Sequence, residues 1–248
     1  MQSTYRESNK GTFIMNKDDI EFEAECILVK YDKDILTKPQ PTPIELIIED
    51  QGLDLVYKRL SIDLSTLGAM VFNKGYLEVY EDGIKKLQEF NCKTIIIDSK
   101  MVETNDKRLP FTYAHELGHY ITQYELEHEN ENQLSLDLFS KEDKMIASIC
   151  KRETANESML PQDKKKLETK VDWQEWQANY FASAILLPKQ TLDIYLDAYF
   201  KDYNVMSPET LLGKLSKDEL DVLTDNIAKT YGVSNEMTFN RLKSLGYI

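Results

Sequence analysis

Two histidines four residues apart, His115 and His119, stand in the stretch "TYAHELGHYIT" (112–122), and Glu116 directly follows the first. A helix turns about 100° per residue, so side chains at i and i+4 stack one turn apart on one face. Two imidazoles so placed can grip one divalent cation. Glu116, on an adjoining side of the helix, can then reach a water bound to that cation, which is the arrangement needed for metal-assisted hydrolysis. The chain has only 3 histidines, and the pattern arises by chance in about a few chains per thousand of this composition. The same spacing also suits an amphipathic helix that merely carries histidine. Gly118 between the two costs a helix about 1 kcal/mol relative to alanine, which implies either close packing against another backbone or close approach by a substrate.

A catalytic zinc normally takes three protein ligands plus water. One continuation of the motif, H-E-x-x-H-x-x-G-x-x-H, fails here because Thr122 holds the glycine position and Glu125 the last histidine position. His128, the remaining histidine, lies in an acidic run and reads as a surface residue. A carboxylate from a second helix is the other solution, and "DWQEWQANYFASAILLP" (172–188) supplies the candidate. Glu175 and Asn179 share one helical face there. Glu175 can act as third ligand while the Asn179 side-chain oxygen accepts the spare N–H of a ligating histidine. In the competing reading, Asp172 caps the helix and Glu175 completes a capping box; spacing does not choose between them.

The elements that would carry these residues are legible in outline. Residues 17–30 read as an amphipathic helix, preceded by a loose N-terminus over 1–16. Thr42, Pro43 and Glu45 read as an N-cap hydroxyl, a first-turn proline and a capping-box carboxylate, opening a helix that ends near Gly52. "LDLVYKRL", "LGAMVFNKGYLEVY" and "KTIIID" are strand candidates, the second with a hairpin turn at Asn73-Lys74-Gly75. Together they make a small, mostly antiparallel sheet of three or four strands. The H-E-x-x-H helix begins between Asn105 and Pro110. Residues 124–170 read as a polar insertion, a solvated excursion with short helices: 124–143 alone carries seven acids against Lys141. A helix over 172–187 closes at Pro188, and 191–248 forms a helical C-terminal subdomain.

Composition narrows the function classes. Net charge is −13 and the pI about 4.8, so the basic stripe that phosphate binding needs is not evident. Cys26, Cys92 and Cys150 are isolated and odd in number, with no C-x-x-C pair, so neither a disulfide framework nor a thiolate zinc site is indicated. The first residues show no apolar h-region, and the longest apolar runs are too short to cross a bilayer. A cytoplasmic protein without membrane association is the expectation.

The two motifs together, "RLPFTYAHELGHY" and "EWQANYFASAILLP", resemble the ImmA/IrrE family of bacterial metallo-endopeptidases. That family typically reads R-x-x-F-T-x-A-H-E-L-G-H and then E-x-x-A-N-x-F-A-x-x-L-L-x-P. Arg108, Phe111, Thr112 and Ala114 through His119 match the first part. Glu175, Ala178, Asn179, Phe181, Ala182, Leu186, Leu187 and Pro188 match the second. The resemblance implies an α+β, zincin-like metallopeptidase domain over 17–190, its small sheet packed on the active-site helices. It implies His115, His119 and Glu175 as ligands of Zn²⁺ (Mn²⁺ or Fe²⁺ as substitutes), and Glu116 as general base. The longer connection between the motifs departs from the pattern, as does Gln123 where the family often has histidine.

The tail "IAKTYGVSNEMTFNRLKSLGYI" has the look of a helix-turn-helix, with Gly232-Val233-Ser234 as turn and cap. Residues 204–248 hold five basic and six acidic side chains. Packing or partner docking is therefore favoured over direct nucleic-acid binding. The family's implied role is cleavage of a helix-turn-helix repressor, relieving repression in a mobile element or stress response. The alternative is a metal-holding regulator that binds or displaces a repressor without cutting it.

Overall fold

The computed structural model describes residues 13, 15–127, 146–151, 169–201, 212 and 215–248. His128 and most of residues 1–16 lie outside the described residues. Helix α1 (Lys17–Tyr31) starts on a full capping box between Asn16 and Asp19 and buries Ile20, Ala24, Ile27 and Leu28 along one face. Helix α2 (Ile44–Asp50) follows the proline-rich stretch. The expected N-cap does not form there: the Thr42 hydroxyl instead donates to the Ile185 carbonyl, 2.8 Å away, tying this segment to a distant helix.

Strands β1 (Asp54–Lys58), β2 (Thr66–Val71), β3 (Gly75–Glu81), β4 (Ile84–Phe90) and β5 (Thr94–Asp98) come next. They form two units. A four-stranded sheet has the order β1-β5-β2-β6, where β6 is Ala147–Lys151; β1 and β5 run parallel and the other pairings are antiparallel. Strands β3 and β4 make a separate ribbon. The hairpin expected at Asn73-Lys74-Gly75 is therefore corrected. The Asn73 amide bonds to the Ile146 carbonyl, and the tight turn is at Asp82-Gly83, both with positive φ (52° and 76°) as a two-residue hairpin loop requires. Strand β4, "IKKLQEF", eluded the sequence reading because it is too polar and exposed to show a buried face.

Alternation along the strands assigns the sheet its two faces. Ile95 and Ile97 turn to the main core with the helices, while Val71 and Ile96 meet Val79 and Phe90 of the ribbon in a second, smaller cluster. Strand β6 also falls inside 124–170, which the sequence suggested was a solvated excursion. Its Cys150 is fully buried in the main core, so this part of the stretch belongs to the fold.

Short helix α3 (Ser99–Glu103) leads to α4 (Leu109–Glu127), which carries the histidines. Helix α5 (Lys170–Leu186) begins on a capping box between Thr169 and Asp172, two residues before the expected start, and α6 (Lys189–Phe200) follows Pro188. In the tail, α7 (Lys217–Tyr231) ends on left-handed Gly232 and α8 (Asn235–Ser244) starts on the Ser234 cap. These helices share the main core through Leu223, Ile227, Tyr231, Met237 and Leu242. Arg241 is fully buried; it donates to the Leu187 carbonyl at 3.0 Å and pairs with both oxygens of Glu21 on α1. Burial alone would raise the Glu21 carboxyl, but Arg241 holds it below the usual range. Among the described residues no helix is long and apolar enough to cross a membrane.

Helices α4 and α5 pack tightly enough to exclude a methyl group. A Cβ on Gly118 would stand 2.9 Å from both the Cα and the carbonyl oxygen of Ala178. Of the two readings of Gly118, close packing against another backbone is the one observed. Gly118→Ala is expected to destabilise the fold by about 1–3 kcal/mol despite alanine's higher helix propensity, measurable as a lower urea midpoint with unchanged slope.

Candidate metal centre

Helix α4 packs against β2, β5 and β6 of the sheet, and its His115, Glu116 and His119 are completely buried. Glu175 comes from the facing α5. The Nε2 atoms of the two histidines are 2.9 Å apart, and the Glu175 carboxylate lies 3.5 Å from the first and 3.3 Å from the second. Neighbouring ligands in a tetrahedral zinc site, with bonds of about 2.0–2.1 Å, stand about 3.3 Å apart. The three side chains therefore fit a single divalent cation, and Glu175 does not take part in the capping box that was its competing reading.

The surrounding groups orient these donors. Asn179 Oδ1 lies 2.9 Å from Nδ1 of His115. Accepting the proton there leaves Nε2 with its lone pair facing the cluster. Gln123, one turn beyond His119, holds its amide nitrogen 2.8 Å from Nδ1 of that ring and 3.2 Å from the Gln174 carbonyl. A cation on His119 Nε2 requires a proton on Nδ1, so Gln123 must then present its oxygen, which is otherwise buried without a partner. Sequence reading noted Gln123 only as a departure from a family pattern; its position four residues after His119 was the available signal. Ser148 of β6 was missed altogether. Its hydroxyl is 3.2 Å from His119 Nε2, and the short apolar run "MIASIC" (145–150) around it was the available signal.

Burial, reinforced by the His119 charge, pushes the His115 pKa down to about 4, so this ring is neutral and able to ligate at ordinary pH. Burial would raise the Glu175 carboxyl, yet the two histidines overturn that and hold it at about 2. The donor set thus offers a neutral imidazole and an ionised carboxylate, which suits a dication. Glu116 is raised well above its usual value by burial and by the nearby Glu175 charge. Its side chain packs over Gly68 of β2, where an added Cβ would meet Oε1 at 2.8 Å and Thr112 Cγ2 at 2.9 Å. The Met70 backbone faces Glu116, but neither carboxylate oxygen makes a hydrogen bond of normal geometry, and Glu175 Oε2 is also without one. Orphaned carboxylate oxygens in a buried pocket are costly and are what a cation site exposes to its ligand.

Tyr113 and Tyr57 hydroxyls pair with each other at 3.1 Å, so Tyr113 serves packing. Tyr120 and Tyr124 pack on one another as a tilted pair with ring centres 5.0 Å apart.

A family model described as Peptidase_M78, IrrE N-terminal-like domain, matches residues 167–243. The matched stretch contains Glu175 and Asn179, with α6 and most of the tail; the H-E-x-x-H helix lies before it. No curated protein matches the chain. Removing the group that orients His115 should loosen the cation without unfolding the protein. Asn179→Ala is expected to weaken metal affinity roughly 10–100-fold, measured by competition against a chromogenic chelator.

Proposed function

Taking this chain as a member of the ImmA/IrrE family of peptidases, we propose that it is a zinc-dependent endopeptidase that cuts a helix-turn-helix repressor. The carrying observation is the convergence of two imidazoles and one remote carboxylate beside a buried, unpaired glutamate. His115, His119 and Glu175 would hold the cation. Two nitrogens and one carboxylate oxygen are a zinc-type donor set that manganese or iron can also occupy. When bound, such a cation supplies a Lewis acid and an acidified water. The cation's charge would offset that of Glu175 and let Glu116 ionise, and Glu116 would then take a proton from the attacking water and pass it to the leaving amine. Asn179 fixes the His115 ring while this happens, and the enclosed pocket keeps bulk solvent from competing. The repressor would be met as a folded protein and cut in an exposed linker, with direct nucleic-acid binding disfavoured by the acidic balance of the tail.

A second reading, a metal-holding regulator that displaces its repressor without cutting, draws on the complete burial of His115, Glu116 and His119. The two separate on one variant. With a repressor encoded beside this gene as substrate, the metal-loaded wild type should cleave. Glu116→Gln should retain one bound cation and lose cleavage by at least about 10²-fold. Cleavage by the variant at the wild-type rate, or binding without cleavage by both proteins, would remove the enzymatic reading.

A further inference from the structure

A peptide carbonyl cannot reach His115, Glu116 or His119 in this conformation, since all three have no exposed surface. On the sheet side, strand β6 lies over the cluster. It pairs antiparallel along the outer edge of β2, with Met70 opposite Ser148 and Gly68 opposite Cys150. Alternation turns Ser148 and Cys150 inward and Ile149 and Lys151 outward, as the burial pattern records. Ser148 Oγ thereby joins the cluster at 3.2 Å from His119 Nε2. The Cys150 thiol lies within 4.8 Å of a donor atom of His115 and of Glu116. His115, His119, Glu175 and Ser148 thus border the space where a cation fits, with Ser148 standing in it from the β6 side.

The edge that β6 covers is also where an extended peptide would pair to lie over the cluster. Gly68 and Met70 of β2 sit directly above Glu116, and main-chain pairing to a strand edge is a general way to hold an unfolded segment. We propose that β6 is an internal occupant of the substrate's place on β2, with Ser148 in the corner a scissile carbonyl must take. This rests on the metallopeptidase reading above and adds to it both a resting state and a specificity. Catalysis requires β6 to leave the β2 edge. The segment that replaces it is an extended peptide with small side chains two residues apart, as Ser148 and Cys150 are, because Glu116 and Thr112, packed against Gly68, leave little room beneath them.

The β2–β6 pairing can be locked away from the cluster. Val71 and Ala147 are partners in the register and belong to the ribbon-side core, on the opposite face of the sheet from the histidines. Partnered residues of this kind lie about 4.5–5.5 Å apart, within disulfide reach. The double variant Val71→Cys/Ala147→Cys is loaded with Co²⁺ and titrated with acetohydroxamate, the visible cobalt bands reporting the metal's ligands. The expected result is acetohydroxamate binding at least ten-fold weaker in the oxidised protein than in the same protein after reduction. Equal affinity in both forms overturns the displacement of β6 and leaves the metal centre standing. Failure of the wild-type chain to give a cobalt spectrum of low coordination number overturns both.

Discussion

The contact between Gly118 on α4 and Ala178 on α5 sets the distance on which the centre depends. With a side chain at 118 the helices would have to separate, because the atoms it would meet are main-chain atoms that cannot rotate away. The same approach that admits no methyl group brings Glu175, three residues before Ala178, up to His115 and His119. It also brings Asn179, one residue after, to the back of the His115 ring. A relaxation of a few tenths of an ångström at this crossing would be felt by all four side chains together, since closely packed interiors transmit strain instead of absorbing it.

Other parts of the chain work to keep that crossing in place. The Thr42 hydroxyl holds the Ile185 carbonyl near the end of α5, and Gln177 holds the Phe13 carbonyl with a 2.8 Å bond. The Arg241–Glu21 pair, buried on its arginine side, then joins the last helix to the first and, through the Leu187 carbonyl, to the end of α5. Such a pair contributes little net stability, while loss of Glu21 would strand the Arg241 charge in the core. It therefore restricts how the tail can sit more than it strengthens the fold. The tail is part of the clamp around the helices that carry the candidate ligands.

What could be seen in the sequence was what a short range of residues dictates. The i, i+4 histidines, the Glu175/Asn179 face and the Gly232/Ser234 turn are local, and each sits in the structure where helical geometry puts it. The choice between Glu175 as ligand and Glu175 as capping residue needed the partner helix, since both roles fit the same spacing. The mispaired hairpin has a similar cause. "NKG" is a valid turn signal, but β2 has two better neighbours in β5 and β6, and the ribbon closes at Asp82-Gly83 instead. Strand β6 was overshadowed by its surroundings: the short apolar run "MIASIC" (145–150) stands between highly charged segments, yet Ser148 reaches the centre. Long-range pairing decided each case that local pattern left open.

The centre stands on the ability of His115, His119 and Glu175 to hold one divalent cation. Elemental analysis of the protein after zinc loading and gel filtration tests this with the fewest assumptions. One equivalent of zinc per chain in the wild type, and less than about a tenth of that in Glu175→Ala under the same wash, is the predicted result, because two imidazoles alone are too few ligands to retain it. Equal zinc in the two proteins, or none in the wild type, would contradict it.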